Sequence, residues 1–475
     1  MIADRSASDI DVARVFEEQR RRYRAAPNPA VVDRLARLEK LERALRHHRS
    51  ELKVALESDF RKSADESEFT ELVVTLAELK FARANLTQWA KTQRVATPLM
   101  VFGSHSELRY EPKGVVLILS PWNYPVYLTI VPLIAAIAAG NRVIVRPSEK
   151  APATRDVLAS IIAEAFVPHD VACVGGEVAT ATELLALPFD HIFFTGSTRV
   201  GKIVMHAAAE HLASVTLELG GKSPCIVDEH ADVDRAASRV AWGKFMNGGQ
   251  TCVAPDYVLV HESVAGAFLA KTAHSVAKMY GPSDAARKTT PDFCRMIDDG
   301  HYARIAGLLA ETVAGGAKVE IGGQTDPAER YIAPTLLSNV DFDAPIMRDE
   351  IFGPVLPVLS YASLDDALAQ INARPKPLAL YVFSGDRATV ERVLGGTSAG
   401  GTLVNDTILH LANPNLPFGG VGSSGIGSCH GFFGFKAFSH ERAVMHQTKA
   451  SLAPMLAPPY NAKTRAMMAV LEKLP

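Results

Sequence analysis

The segment Asn247-Gly248-Gly249-Gln250-Thr251-Cys252-Val253-Ala254-Pro255 carries a thiol on what reads as a glycine turn. Val233, Ala236, Ala237, Val240, Ala241 and Phe245 precede it at helical spacing. Gly248 and Gly249 allow sharp or left-handed backbone, so a helix is expected to end there and deliver Cys252 on a loop. Tyr257-Val258-Leu259-Val260 then reads as a strand. A thiol held this way can attack an electrophilic carbon once it loses its proton. Free cysteine is more often a buried packing residue, and that is the expected role of the other four. Cys173 and Cys225 lie in apolar strand-like runs, while Cys294 and Cys429 have no chemistry near them in the sequence.

Upstream, Thr216-Leu217-Glu218-Leu219-Gly220-Gly221-Lys222 places a carboxylate inside an apolar strand that ends in two glycines. Alternation puts Glu218 on the opposite face from Leu217 and Leu219. A lone Glu in a strand ordinarily faces water; this one lies 34 positions (252 − 218) before Cys252. A thiolate and a carboxylate suffice for attack on a carbonyl and for later activation of water.

The two segments resemble the Glu-Leu-Gly-Gly-Lys and Gly-Gln-Thr-Cys motifs of the aldehyde dehydrogenase superfamily, in the same order and spacing. The resemblance runs from about Glu39 to Glu441. It is closest to the class-3-like branch that includes coniferyl aldehyde dehydrogenases, in which Cys-Val-Ala-Pro-Asp-Tyr-Val-Leu follows the Gln-Thr as it does from Cys252 to Leu259. It implies an α/β fold with a Rossmann-type cofactor domain, an α/β catalytic domain and a small β oligomerisation arm. The corresponding boundaries are 1–97 with 114–219, then 220–404, then 98–113 with 405–445, and a tail over 446–475.

The resemblance also implies a reaction. Cys252 attacks an aldehyde, and the Asn123 side chain with the Cys252 backbone N–H holds the resulting alkoxide. Hydride passes to NAD or NADP, and water then cleaves the thioester. Glu218 is the expected base for that water, with Glu350 as second choice. The implied cofactor residues are Trp122, Arg146, Ser148, Glu149, Gly196, Ser197, Gly201, Leu219, Gly220, Glu350 and Phe352. Glu350 is expected at the nicotinamide ribose, and Arg146 with Glu149 at the adenosine ribose. Arg146 departs from the Lys of most relatives, which leaves the choice between NAD and NADP open. Tyr124, Met246, Thr251, Val253 and Phe418 are expected to line an apolar substrate tunnel. Aromatic aldehydes of the coniferyl type and medium-chain aliphatic ones are the rival substrates. Beside Pro121 and Pro125, Asn123 alone would read as a turn-former.

The elements that must position these groups are legible in outline. Val31, Leu35, Leu38, Leu41, Leu45, Leu52 and Leu56, then Leu72, Leu76 and Leu79, make residues 10–94 mostly helical. Val115 to Leu119 reads as a buried parallel strand, followed by the loop Ser120 to Pro125. A helix over Leu128 to Ala139, a strand over Val143 to Val145 and a further helix give βαβα alternation, which predicts a doubly wound sheet. His191 to Thr195 is a strand, and Gly196-Ser197-Thr198-Arg199-Val200-Gly201 turns into a helix whose first amides can meet a phosphate. Glu350-Ile351-Phe352-Gly353-Pro354-Val355, Asn405 to Ile408 and Leu416 to Gly420 match later loops of the family. Pro98 to Pro112 reads as a β-hairpin, which the resemblance implies pairs with a partner subunit, and Ala466 to Leu471 reads as a short surface helix.

The chain has 475 residues, 48% hydrophobic and 21% charged, with a net charge of −2. That composition suits a globular chain of two or three domains and gives no basic surplus for nucleic acid or anionic membrane. The uncharged run from Gly114 to Asn141 is broken by prolines and reads as strand, turn and buried helix rather than a membrane span. Five scattered cysteines without CxxC pairs suggest no disulfide framework and no metal site. No apolar leader is evident at the N-terminus. A cytoplasmic homodimer is therefore expected. Two other readings compete: a cofactor-independent cysteine hydrolase, for which no His partner of Cys252 is identifiable, and a catalytically silent binding protein of the same fold.

Overall fold

The structure is a computed structural model and describes residues 11–452, 454 and 457–472. The N-terminal third is helical as expected: Val12–Ala25, Val31–His47, Arg49–Phe60 and Val74–Trp89 are α-helices. Leu38, Leu41, Leu45, Leu52, Leu56 and Leu79 are buried, so the leucine spacing marks the packed stripe. One turn departs from the α pattern. Glu68–Val73 is a π-helix, a geometry that recurs at functional sites.

Two sheets carry the rest. The first has six strands in the order Gly425–Ile426, Ser214–Leu219, His191–Gly196, Val115–Leu119, Arg142–Arg146, Val171–Cys173, parallel except for Gly425–Ile426. Strand order reverses between Val115–Leu119 and His191–Gly196. Ligands of open α/β sheets gather at such a switch point, outside the carboxyl ends. The helix Tyr127–Ala139 that follows the first of these strands is buried despite Pro132, so the uncharged run is core.

The second sheet has seven strands in the order Lys318–Ile321, Thr335–Ser338, Val355–Tyr361, Tyr257–His261, Pro224–Val227, Ala379–Phe383, Gly401–Val404. Lys318–Ile321 alone is antiparallel to its neighbour. Residues 220–223 join the carboxyl end of the first sheet to the amino end of the second. Cys252 and Glu350 both precede second-sheet strands. The two expected chemical regions therefore face each other across the gap between the sheets.

A third sheet has Ser104–Pro112 between Gln93–Val95 and Ser439–Gln447, all antiparallel. This corrects the expected hairpin within Pro98 to Pro112. Leu99–Val101 is a single 3₁₀ turn entered from Pro98, and the strand partners come from outside the segment: Gln93–Val95 before it and Ser439–Gln447 from the far end of the chain. A nine-residue register with Ser439–Gln447 offers far more ladder than four residues could across a local turn. The late helix spans Ala462–Leu471 and begins earlier than expected, where Asn461 accepts from the Lys463 and Thr464 N–H groups. Among the described residues no helix is long and apolar enough to cross a membrane.

Candidate active site

The helix Val233–Phe245 ends as the glycines require, one turn before the thiol. Asn247, Gly248 and Gly249 follow with φ of 56°, 60° and 72°. A Cβ at Gly249 would lie 2.3 Å from the Gly353 carbonyl oxygen, so only glycine lets this loop pack against the Ile351–Gly353 turn. Side chains then lock it. Asn247 donates to the carbonyls of Asn123 (2.8 Å) and Gln250 (3.2 Å). Gln250 donates to the carbonyls of Asn247 (3.0 Å) and Arg295 (3.1 Å) and accepts from the Ile297 N–H (3.1 Å). The Asn123 amide donates to the Gln250 carbonyl at 3.0 Å. One of its two N–H groups remains for a developing oxyanion.

Cys252 lines two larger cavities and a small one behind it. One is a polar cleft of about 650 Å³ between the sheets. Trp122, Asn123, Gly196, Ser197, Glu218, Leu219, Gly220, Glu350 and Phe352 line it. The other large one is an apolar channel lined by Tyr124, Met246, Thr251, Val253 and Phe418. Burial pushes the Cys252 thiol up to about 12, and Glu350 and Glu218 push it further the same way; the backbone amides of Cys252 and Val253 oppose this. The resting nucleophile is therefore a thiol, and attack requires a base.

Two carboxyl groups can serve. Glu218 is 5% exposed and its oxygens lack a close hydrogen-bond partner. Burial pushes it up to about 8, while the Cys429 thiol facing it pulls the other way. This corrects the expectation that Cys429 has no chemistry near it. Cys429 is brought in by a fold-back in which its N–H donates to the Phe418 carbonyl at 2.7 Å, a long-range closure that local sequence does not encode. Glu350 is also pushed up to about 8, by burial first and then by Asp256. A Cβ at Gly220 would lie 2.0 Å from Glu350 Oε2, so that glycine makes room for the carboxyl group.

The cleft presents features that suit a dinucleotide. Ser197 caps the helix Thr198–Glu210 at the cleft, where a helix start favours phosphate. Lys222 is held by Asp256 and by the carbonyls of Ile346 (2.8 Å) and Asp349 (3.1 Å). Trp122 meets Phe352 edge-on with ring centroids 5.5 Å apart. Gly201 does not reach the cleft: a Cβ there would lie 2.7 Å from Leu219 Cδ2, so it serves close helix–strand packing. Arg146, Ser148 and Glu149 stand at the end of the neighbouring strand, outside the cleft lining. Arg146 pairs with Glu149 at 2.8 Å and donates to the Gly176 carbonyl at 2.9 Å.

Several wall residues had escaped the sequence reading. Phe69, Thr70 and Val74 reach the channel from the π-turn and the helix after it, and Tyr127, Trp242, Leu411 and His430 complete it. The hydroxyls along the wall are taken up by protein partners. Tyr124 bonds Thr251 Oγ1 at 2.7 Å, Tyr127 bonds His430 Nε2 at 3.1 Å, and Thr70 donates to the Glu66 carbonyl at 2.7 Å. Phe418 stacks on His430 at 5.0 Å. Lys244 was also missed. It is fully buried, its Nζ has no hydrogen-bond partner, and burial pushes it down to about 8. Its place one helical turn after Val240, on the apolar stripe, was the available signal.

A loop-held thiol, two carboxyl groups pushed up by burial, a hydrogen-bonded amide and a nucleotide-suited cleft together suit an oxidoreductase site. Comparison with known proteins agrees: the profile of the Aldehyde dehydrogenase family matches residues 2–444, and the chain belongs to that family, whose members oxidise aldehydes with NAD or NADP. It is 45% identical over 436 residues to 4,4'-diaponeurosporen-aldehyde dehydrogenase of Staphylococcus aureus, covering 92% of this chain and 94% of that protein. It is 44% identical to the dimeric NADP-preferring aldehyde dehydrogenase of Rattus norvegicus, covering 91% and 94%. A solved structure of Staphylococcus aureus AldH in a substrate-bound state superposes with a TM-score of 0.93 at 42% identity, covering 97% and 99%. Family 3 members recur among the relatives, in line with the class-3-like branch.

Proposed function

We propose that this protein oxidises an apolar aldehyde to its acid through a thioester on Cys252. The observation that carries the reading is the position of Cys252 at both an apolar channel and a polar cleft. Substrate enters by the channel and places its carbonyl carbon at the thiol. Glu218 or Glu350, once ionised, takes the thiol proton. Asn123 and the Cys252 N–H hold the alkoxide. Trp122, Gly196, Ser197, Leu219, Gly220, Glu350 and Phe352 would hold NAD or NADP, which would supply the hydride acceptor, and Arg146, Ser148 and Glu149 would be the residues for its adenosine ribose. Glu218, ionised, or ionised again once it has lost a proton taken from the thiol to solvent, then takes a proton from water as it attacks the thioester. The six-stranded sheet with the N-terminal helices acts as the cofactor domain, the seven-stranded sheet as the catalytic domain, and the three-stranded sheet as the arm of a cytoplasmic homodimer.

The substrate is an alkyl, polyenyl or unsubstituted aryl aldehyde rather than one of the coniferyl type. A phenolic hydroxyl in this channel would meet walls whose own hydroxyls are already paired, and an unmatched buried hydroxyl costs about 1–3 kcal/mol. A panel of medium-chain alkyl, benzyl-type and 4-hydroxy-3-methoxy aryl aldehydes, scored by reduced-cofactor absorbance, tests this. The apolar members should exceed the phenolic ones about tenfold or more in kcat/KM. A phenolic aldehyde at the top of the panel contradicts the substrate class, and no reduced cofactor with any aldehyde contradicts the reaction.

A further inference from the structure

Behind Cys252 lies a cavity of about 20 Å³ that shares walls with both the cleft and the channel. That volume holds one water molecule. Its walls are mostly apolar, from Leu128, Val131, Phe193, Leu378 and Phe418. The polar groups turned towards it are few. Glu218 has no close hydrogen-bond partner at either oxygen. Thr195, its register partner on the adjacent strand, has a buried hydroxyl without a partner. Cys429, 6% exposed, Cys252 and His430 complete the set.

We propose that Cys429 is a positioning residue for thioester hydrolysis: its thiol orients the Glu218 carboxylate and sets the pH at which Glu218 accepts the proton of water. The proposal rests on the reading of Glu218 as the base for that step. Cys429 is fixed at its backbone by hydrogen bonds in both directions with Phe418, at 2.7 and 3.3 Å. Its side chain therefore enters the cavity from a held position. A thiol there can donate to an ionised carboxylate, and such a bond favours the charged form, which is the form that acts as base. The other titratable groups about Glu218 are Cys252, Tyr127 and His430. Cys252 and Tyr127 oppose its ionisation, and burial pushes His430 down to about 4, so it brings no positive charge near pH 7. Glu78 pushes the Cys429 thiol up, as Glu218 does. No cation faces the carboxylate from the surrounding elements among the described residues, so Cys429 is the side chain that favours its ionisation.

The experiment is a pH profile of steady turnover paired with the pre-steady-state burst of reduced cofactor. It compares wild type with Cys429→Val, Cys429→Ala, Cys429→Ser and Glu218→Gln. Val and Ala both remove the donor, so either one that folds by thermal melting suffices, and Ser restores a donor. With Val or Ala the acid limb of kcat should move up by about half to one pH unit, the scale of one weak donor to a carboxylate. Turnover at pH 7 should fall about threefold to tenfold, with burst amplitude and the kcat/KM for aldehyde unchanged. Ser should return the limb to its wild-type position. A limb that stays in place with Val and Ala, or moves as far with Ser, overturns the role of Cys429 while leaving Glu218 as base. Normal steady turnover in Glu218→Gln overturns the base assignment itself, and the Cys429 role with it.

Discussion

At the scale of residues, the question the site leaves most open to experiment is which cofactor it prefers. NADP differs from NAD by a ribose 2′-phosphate carrying about −1.5 to −2 charges near neutral pH, by analogy with other phosphomonoesters. Glu149 would repel that group and accept bonds from the two hydroxyls of NAD. Arg146 would grip it, and a guanidinium does so bidentately where an ammonium does not. The structure ties these opposing groups together at 2.8 Å. The expected result is dual use with NAD moderately preferred. Glu149→Gln releases Arg146 and should shift the ratio of kcat/KM values towards NADP by about tenfold. Arg146→Lys should lower NADP efficiency more than NAD efficiency. Equal changes for both cofactors in both variants would mean that neither side chain senses the 2′ position.

At the scale of elements, the site is held by parts of the chain that carry no chemistry. Lys62 and Glu71 form a fully buried ion pair at 2.9 Å. The second Glu71 oxygen accepts from the N–H groups of Val126 (2.8 Å) and Tyr127 (3.2 Å), where the buried helix begins. Lys62 Nζ sits 4.1 Å from the centre of the Tyr124 ring. Removing one partner of such a pair strands the other charge, so Glu71→Ala should cost about 3–5 kcal/mol of stability. It should also raise aldehyde KM through Tyr124. Urea unfolding checks the first effect, and a loss below about 1 kcal/mol would mean the pair is as weak as a surface one. None of this was legible in the sequence, because Glu71 is one acid among several on a helical stretch and the Val126 and Tyr127 amides it accepts from lie more than fifty positions away. The Cys252 loop was legible because its turn, its glycines and its thiol are contiguous. So was the inward face of Glu218, set by two-residue alternation in one strand. Cys429, His430 and Phe69 reach the site only through long-range closure and escaped, and the three-stranded sheet was misread as a local hairpin for the same reason.

At the scale of the whole molecule, two α/β sheets set a thiol from the amino end of one against a carboxyl group from the carboxyl end of the other. The polar cleft between them gives way to the apolar channel at Cys252. The three-stranded sheet stands apart from both, and Val95, Leu99, Met100, Phe102 and Met445 on and around it are exposed apolar side chains. Exposed strand edges and apolar patches of this kind call for a partner. Native mass spectrometry at micromolar concentration should therefore find a mass near twice that of the 51.1 kDa chain. A single-chain mass would contradict the dimer and return the apolar side chains of the arm to solvent.

The account turns on a covalent acyl group at Cys252 that Glu218 helps to release, and trapping that group tests it most directly. Glu218→Gln protein mixed with an apolar aldehyde and NAD should give a burst of about one reduced cofactor per chain, as expected when deacylation limits turnover. Intact-mass and peptide analysis at the plateau should then find the acyl group on Cys252, and the same mixture with Cys252→Ala also present should give neither burst nor adduct. A rapid steady state with no acyl group on Cys252, or an acyl group on another cysteine, would contradict the mechanism.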